Sequence, residues 1–241
     1  MKLILSKMRR AIQDFGMIKE GDRIAVGLSG GKDSLTLLTG LRRLQEFYPE
    51  SFELCAITLT MGLEGFDAGP LVDFCSSIGV QYKIVDTQIG KIIFEARKEK
   101  NPCSLCANMR RGALNNSALE LGCNKVALGH NRNDAVETLL MSMFFEGRVN
   151  TFSPVTYLDR KQLSVIRPLV YIDEKEIIGH ARKYVLPVVP SPCPVCGHTK
   201  RQYVKELICS IQKEVPDIKD RLLGCITNIE QVNLWEKSGT K

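Results

Sequence analysis

The chain has 241 residues, of which 44% are hydrophobic and 25% charged. These are the averages of a globular protein and exclude a disordered or collagen-like chain. A chain of this length forms one large domain, or one domain with appendages, whose core needs no disulfide or metal staples. The 33 basic and 27 acidic residues leave a net charge of +6, which by itself only hints at a polyanionic partner. The opening MKLILSKMRRAIQDF carries charges every few residues and lacks an apolar signal core. No stretch approaches ~18 uninterrupted apolar residues, so no signal peptide and no membrane span is expected, and the location is cytoplasmic.

Strands and helices alternate along the chain. An amphipathic helix over about Leu3–Met17 leads to a buried strand, Arg23–Leu28, then a glycine turn and a helix from Asp33 to about Phe47. Phe52–Leu59 reads as a second strand, Leu71–Ile78 as a helix and Gln81–Val85 as a third strand. Helices at Ile89–Lys98 and Ser104–Leu121 precede a fourth strand at Lys125–Leu128. The next helix, Asn133–Phe145, places Val136, Leu139, Leu140, Met143 and Phe144 on one face. Val165–Val170 is a last strand, broken by Pro168, and Asp173–Tyr184 a helix with Asp173 as N-cap. Four of the ten prolines fall between Pro187 and Pro194. Helices follow at His198–Glu214 and Ile218–Trp235. Alternating βαβ units predict an α/β fold, a doubly wound parallel sheet with a helical C-terminal appendage. The expected divisions are an N-terminal helix over 1–20, a core over 21–185, and a cysteine loop with C-terminal helices over 186–241.

Two features carry chemistry. Ser29-Gly30-Gly31-Lys32-Asp33-Ser34 joins a strand end to a helix start. Its glycines let the backbone approach an anion, the first helical N–H groups point at it, and Lys32 adds a point charge. It is neither a Walker A loop nor GxGxxG, and an ordinary βα turn does not explain this order of residues. The second feature lies among the nine cysteines. Cys103/Cys106 and Cys193/Cys196 form two Cys-x-x-Cys pairs, which in a cytosolic chain indicate a metal site. On spacing alone a four-cysteine zinc knot stands ahead of an iron–sulfur cluster, since both accept thiolates. The five isolated cysteines, at 55, 75, 123, 209 and 225, read as small core hydrophobes.

The loop hexapeptide resembles the pyrophosphate loop of the N-type ATP pyrophosphatases, the PP-loop superfamily with its adenine nucleotide alpha hydrolase-like fold. These enzymes cleave ATP between the α- and β-phosphates and adenylate an oxygen. The resemblance implies that Ser29, Gly30, Gly31, Lys32, Asp33 and Ser34 hold the phosphates, with Asp33 helping to hold Mg2+. Around the cysteines, four segments recur in this order in one subfamily. They are Pro102-Cys103-Ser-Leu-Cys106 running on to Arg110-Arg111-Gly112, Leu128-Gly129-His130-Asn131-Arg132-Asn133-Asp134, Ile166-Arg167-Pro168-Leu169, and Pro192-Cys193-Pro-Val-Cys196. They resemble the TtcA-type tRNA 2-thiocytidine synthetases, over about Arg23 to Asn228. That likeness implies a 4Fe-4S cluster on Cys103, Cys106 and Cys193, with the fourth iron open for sulfide and Cys196 an auxiliary thiol. It also implies ATP, a tRNA substrate, a sulfur donor (a cysteine desulfurase or sulfide) and, as the family expectation, a homodimer.

The expected reaction adenylates the C2 carbonyl of a tRNA pyrimidine, cytidine first, and replaces its oxygen with sulfur, releasing AMP and pyrophosphate. Lys32, Asp33 and Asp134 are its catalytic candidates, and Gly129 and His130 join the loop in binding nucleotide. Two departures from the family pattern stand out. His130-Asn131-Arg132-Asn133-Asp134 replaces a common His-His-Arg-Asp-Asp, so a catalytic or metal role there falls on Asp134. Thr60 follows the second strand where the family usually has an acid. Arg110 and Arg111 are candidates for RNA phosphate contact, against a solvated helix face. His180 and His198 read as surface or packing residues, and Trp235 as an anchor of the last helix. The alternatives are a tRNA 2-thiouridine synthetase of the same superfamily, a lysidine-synthetase-like ligase, and a non-enzymatic zinc-stapled RNA-binding protein.

Overall fold

The computed structural model describes residues 1–96, 102–194, 200–228 and 230. They form two compact units, residues 1–131 with 153–196, and residues 132–152 with 197–241. This grouping takes the Asn133–Phe145 helix out of the linear core and places it with the C-terminal helices.

The first unit opens with α1 (Lys2–Asp14), which buries Ile4, Met8, Ala11 and Ile12 on one helical face. Next come β1 (Asp22–Gly27), α2 (Lys32–Leu44), β2 (Phe52–Leu59), α3 (Gly69–Ser77) and β3 (Gln81–Val85). The helix expected from Ile89 is only one α-turn, α4 (Ile89–Lys91), followed by a π-helical turn over Ile92–Ala96. The rest of that expected helix lies outside the described residues. Helix α5 (Pro102–Glu120) leads to β4 (Lys125–Ala127).

Strand β5 (Val155–Leu158) was not legible from its residues. It forms a hairpin with β6 (Leu163–Ile166), turning at Gln162 with a φ of 49°. The last strand therefore starts earlier than expected and stops before Pro168, which has no N–H to offer a ladder. Helix α7 (Glu174–Lys183) follows. Its Asp173 cap accepts from Lys175 N at 2.8 Å, while Glu176 returns a bond to Asp173 N at 3.0 Å. This reciprocal capping box fixes where the helix begins.

The strand order is β3-β2-β1-β4-β6-β5, parallel throughout except for the β5–β6 pair. Strand β1 lies between β2 and β4, so the order reverses there. One face of the sheet carries Ala25, Cys55, Ile57 and Val126 and is covered by Leu114 and Ala118 of α5. Alternate residues such as Ile24 and Val26 point to the other face. The crossovers before β2 and before β4 run in opposite directions, so right-handedness sets α2 and α5 on opposite faces. Helices α1 and α7 pack on α2.

In the second unit α6 (Arg132–Glu146) packs against α8 (Lys200–Glu214) and α9 (Ile218–Thr227) around Val136, Leu140, Val204 and Ile208. Met143 and Phe144, expected on the buried face, are 43% and 51% exposed. The α8 start lies beside Phe145, with the Lys200 ammonium 4.6 Å from its ring centre. Helix α8 thus meets the last turn of α6 at Phe145 and leaves Met143 and Phe144 open. Cys209 and Cys225 are also exposed, unlike the buried Cys55, Cys75 and Cys123. The first two lie on α8 and α9, whose two-helix packing leaves much of each surface open. Residues 196, 198 and 235 fall outside the described set. No helix among the described residues is long and apolar enough to cross a membrane.

At the N-terminal edge of the sheet, Lys125 Nζ meets Asp22 Oδ2 at 2.6 Å and donates to the Met17 carbonyl at 2.7 Å. Asn124 Nδ2 donates to the other Asp22 oxygen at 2.8 Å, and its own carbonyl accepts from Arg23 N at 2.9 Å. Both charged side chains are under 10% exposed, at 9% and 5%. A buried pair stripped of one partner leaves a charge with neither water nor counter-ion. Lys125→Met should therefore lower stability by about 3–5 kcal/mol in urea unfolding. Adding Asp22→Asn should recover most of that loss, and a single variant costing under ~1 kcal/mol would show that the pair is solvated.

Candidate functional site

The turn from β1 into α2 closes on itself. Ser34 Oγ accepts from Ser29 N at 3.2 Å, stands 3.2 Å from Ser29 Oγ and donates to the Gly31 carbonyl at 2.9 Å. Gly30 sits at a φ of 81°, a left-handed conformation open to glycine. A Cβ there would lie 3.1 Å from Val189 Cβ, and the Gly30 carbonyl accepts from Val189 N at 2.9 Å. The proline-rich segment thus straps the loop. Gly31 is the N-cap of α2 and offers no side-chain cap. The leading N–H groups of the helix stay available to an anion beyond the C-terminal end of β1.

The loop's charges are already ordered. Lys32 Nζ is bracketed by Asp33 Oδ2 at 2.8 Å and Glu174 Oε1 at 3.1 Å. Burial alone would lower the Lys32 pKa, but these two carboxylates hold it above the ordinary lysine value. The other Asp33 oxygen accepts from Asn131 Nδ2 at 2.9 Å. Asn131 belongs to the segment after β4, and Gly129 of that segment lies against the loop itself. A Cβ on Gly129 would stand 3.0 Å from both Asp33 C and Ser34 N. The half-buried His130 is next to it in the chain. The two crests that flank the strand-order reversal therefore touch, and such a crevice is where open α/β sheets hold their ligands.

The cysteines lie in the same unit. Cys103 and Cys106 occupy the first two turns of α5 and Cys193 the proline-rich loop. Burial pushes the Cys106 thiol up, and Cys193 and Cys103 push it further, so the three share one electrostatic neighbourhood. Arg110, one helical turn on, opposes that rise through its charge and a hydrogen bond. Arg111 is exposed but lies close enough to Arg167 to add to the lowering of its pKa to about 10, which burial dominates. Among the described residues no three His, Cys, Asp or Glu side chains are grouped so as to hold a metal ion. A donor set of three thiols with a guanidinium beside it nevertheless suits an anionic thiolate centre, in which soft sulfur donors take iron or zinc.

Three site residues escaped the sequence reading. Glu174 pairs with Lys32 from far along the chain, a contact no spacing rule reveals. Asn131, read only as a departure, holds Asp33. Asp86, at the end of β3, accepts from the Thr60 hydroxyl at 3.0 Å. A carboxylate thus stands beside the strand end that lacks one of its own. Asp134 belongs to the second unit, where its carboxylate accepts from Arg201 Nη1 at 3.4 Å. The same guanidinium reaches Glu137 Oε2 at 3.1 Å.

The PP-loop domain family model matches residues 4–209, so the chain belongs to the PP-loop family. Within it the chain groups with the tRNA-cytidine(32) 2-sulfurtransferases. That of Geobacter sulfurreducens is 42% identical over 232 residues, covering 95% of this chain and 90% of that protein. That of Pelobacter propionicus is 41% identical over 231 residues, covering 95% and 86%. Among solved structures, the U34-tRNA thiolase NcsA from Methanococcus maripaludis, with its 4Fe-4S cluster, superposes with a TM-score of 0.77 at 29% identity. It covers 96% of this chain and 79% of its own. The NH3-dependent NAD synthetase of Campylobacter jejuni, at TM-score 0.51 and 17% identity over 98% of each chain, shares the fold.

Gly129 tests the contact between the two crests. Its φ suits any residue, so Gly129→Ala acts only by pressing a methyl on the Asp33–Ser34 backbone. It should lower stability by about 1–3 kcal/mol, as overpacking does. ATP affinity should fall roughly tenfold with it, because the phosphate loop must shift. Calorimetric titration with ATP reads this directly, and unaltered affinity would mean that the loop is not shaped by this contact.

Proposed function

We propose that this chain is an ATP-dependent tRNA sulfurtransferase that acts on the C2 position of a tRNA cytidine. The observation that carries the reading is the phosphate loop at the strand-order reversal, in one unit with the thiols of Cys103, Cys106 and Cys193. ATP lies with its terminal phosphates on Ser29–Ser34, where the leading α2 amides and Lys32 face them. Gly129 and His130 border the nucleotide, and Asp33 helps to hold Mg2+. The C2 carbonyl oxygen attacks the α-phosphorus and pyrophosphate leaves. Sulfide then attacks C2, and AMP departs with the original oxygen. Adenylation is needed because an amide-like oxygen is a poor leaving group.

In this reading Cys103, Cys106 and Cys193 hold a 4Fe-4S cluster, which when bound supplies the sulfur. The placement of these thiols in one unit and the mutual influence of Cys106, Cys103, Cys193 and Arg110 support it. Lys32 stabilises the charge that grows on the departing pyrophosphate. The ordered loop supplies positioning, which in phosphoryl-transfer chemistry accounts for most of the acceleration. Arg110 and Arg111 take RNA phosphates, and a single-stranded tRNA loop lets its base be splayed into the crevice. The reading uses residues of the first unit alone, and assigns no step to Asp134 while Arg201 holds it. We place the protein in the cytoplasm, working with a cysteine desulfurase or free sulfide as donor, and as a homodimer.

The test is a reaction of the intact protein with tRNA, ATP and sulfide, scored for AMP, pyrophosphate and thiolated cytidine together. Wild type should form all three in step. Lys32→Ala should lose all three by at least ~100-fold, on the scale of removing one preorganised charge-stabilising group. It should keep its fold, since a loop side chain outside the core contributes little to stability. Full AMP formation by Lys32→Ala would remove the phosphate-loop assignment. Thiolated uridine in place of cytidine would move the chain to the 2-thiouridine reading.

A further inference from the structure

The phosphate-loop lysine is held from outside its own loop. Glu174 opens α7, whose start is fixed by the Asp173–Glu176 capping box. Helix α7 in turn packs along α2, and the ring of His180 reaches Thr36 Oγ1 at 3.3 Å. The Glu174 carboxylate is therefore carried on a rigid mount. It stands 3.1 Å from Lys32 Nζ, and its side chain is only 18% exposed. The ammonium also meets Asp33, which Asn131 holds. An ammonium has three N–H donors. Two carboxylates occupy two, which leaves the third for a phosphate oxygen.

We propose that Glu174 is a positioning residue that preorganises Lys32 for the pyrophosphate of ATP. This rests on the reading of Ser29–Ser34 as the phosphate loop. A free lysine side chain samples many rotamers, and the freedom lost on binding weakens affinity. Glu174 removes that freedom before ATP arrives, through a carboxylate anchored to α7 and not to the loop. Asp33, held by Asn131, constrains the ammonium from the β4 crest, and Glu174 adds a second constraint from α7. The arrangement also keeps the ammonium charged despite its burial, so it reaches the phosphates as a cation.

A double-mutant cycle on Mg-ATP affinity, measured by calorimetry on the full chain, separates this from a structural role. Glu174→Gln keeps the volume and the oxygen but removes the charge. It should weaken Mg-ATP binding roughly fivefold to tenfold, the scale of ordering one long side chain. In the Lys32→Ala background the same change should leave Mg-ATP affinity unchanged, because the proposed effect on ATP is carried by that ammonium. Glu174→Asp keeps the charge on a shorter arm and should fall between the two; it also serves as the reading if Glu174→Gln fails to fold. Equal weakening in both backgrounds, or no weakening in either, would overturn the role of Glu174 and leave the phosphate loop standing. Unchanged affinity in Lys32→Ala itself would instead overturn the phosphate-loop reading on which the proposal rests.

Discussion

Asp33 is the point on which the crevice depends. It lies in the first turn of α2, and its carboxylate donates nothing and has two oxygens that must be satisfied in a partly buried place. One takes the Lys32 ammonium and the other the Asn131 amide. Through the first it joins the phosphate loop to α7, by way of Glu174. Through the second it joins the crest of β1 to the crest of β4. The close approach of Gly129 to the same backbone makes that second junction short. Remove the side chain of Asp33 and the two crests lose their shared anchor, although each strand would still pair as before.

Strand order explains why these groups meet. A parallel sheet sends every strand's C-terminal end to one edge, and right-handed crossovers pull successive loops to alternate faces. Only where the order reverses do two neighbouring loops part and leave a cleft between them. Here that place lies between β1 and β4. The glycine-rich turn after β1 and the Gly129–Asn131 segment after β4 are therefore neighbours by topology, although about a hundred residues separate them in the chain. The opposite edge is held differently, by the buried Lys125–Asp22 pair. The binding edge is left polar, strapped and partly open.

Much of this was legible in the residues, and the misses have physical causes. The second strand came out at its observed bounds because its buried Cys55–Thr58 stretch reads as an apolar run, and the third, which is half-exposed, because its β-favouring Tyr82, Ile84 and Val85 follow the Gly79 break. The phosphate loop was legible because its chemistry is local, with glycine, lysine and serine all within six residues. Strand β5 was not, since a short edge strand with a half-exposed pattern carries little hydrophobic signal. Met143 and Phe144 misled because periodicity shows which residues are apolar, not which of them a neighbouring helix covers. Glu174 and Asn131 were missed for a different reason. Their roles come from long-range contact with Lys32 and Asp33, and no local pattern marks a carboxylate or an amide for such a partner.

Of the phosphate loop and the thiolate centre proposed for this one protein, the thiolate centre is the half most open to a direct assay. Iron, acid-labile sulfide and zinc should be measured per chain after preparation without oxygen, for the wild type and for Cys103→Ser, Cys106→Ser and Cys193→Ser. The account predicts about four irons and four sulfides per wild-type chain, as a cubane cluster requires. Each single substitution should lose iron while ATP binding persists. One zinc per chain with no labile sulfide in the wild type would contradict it.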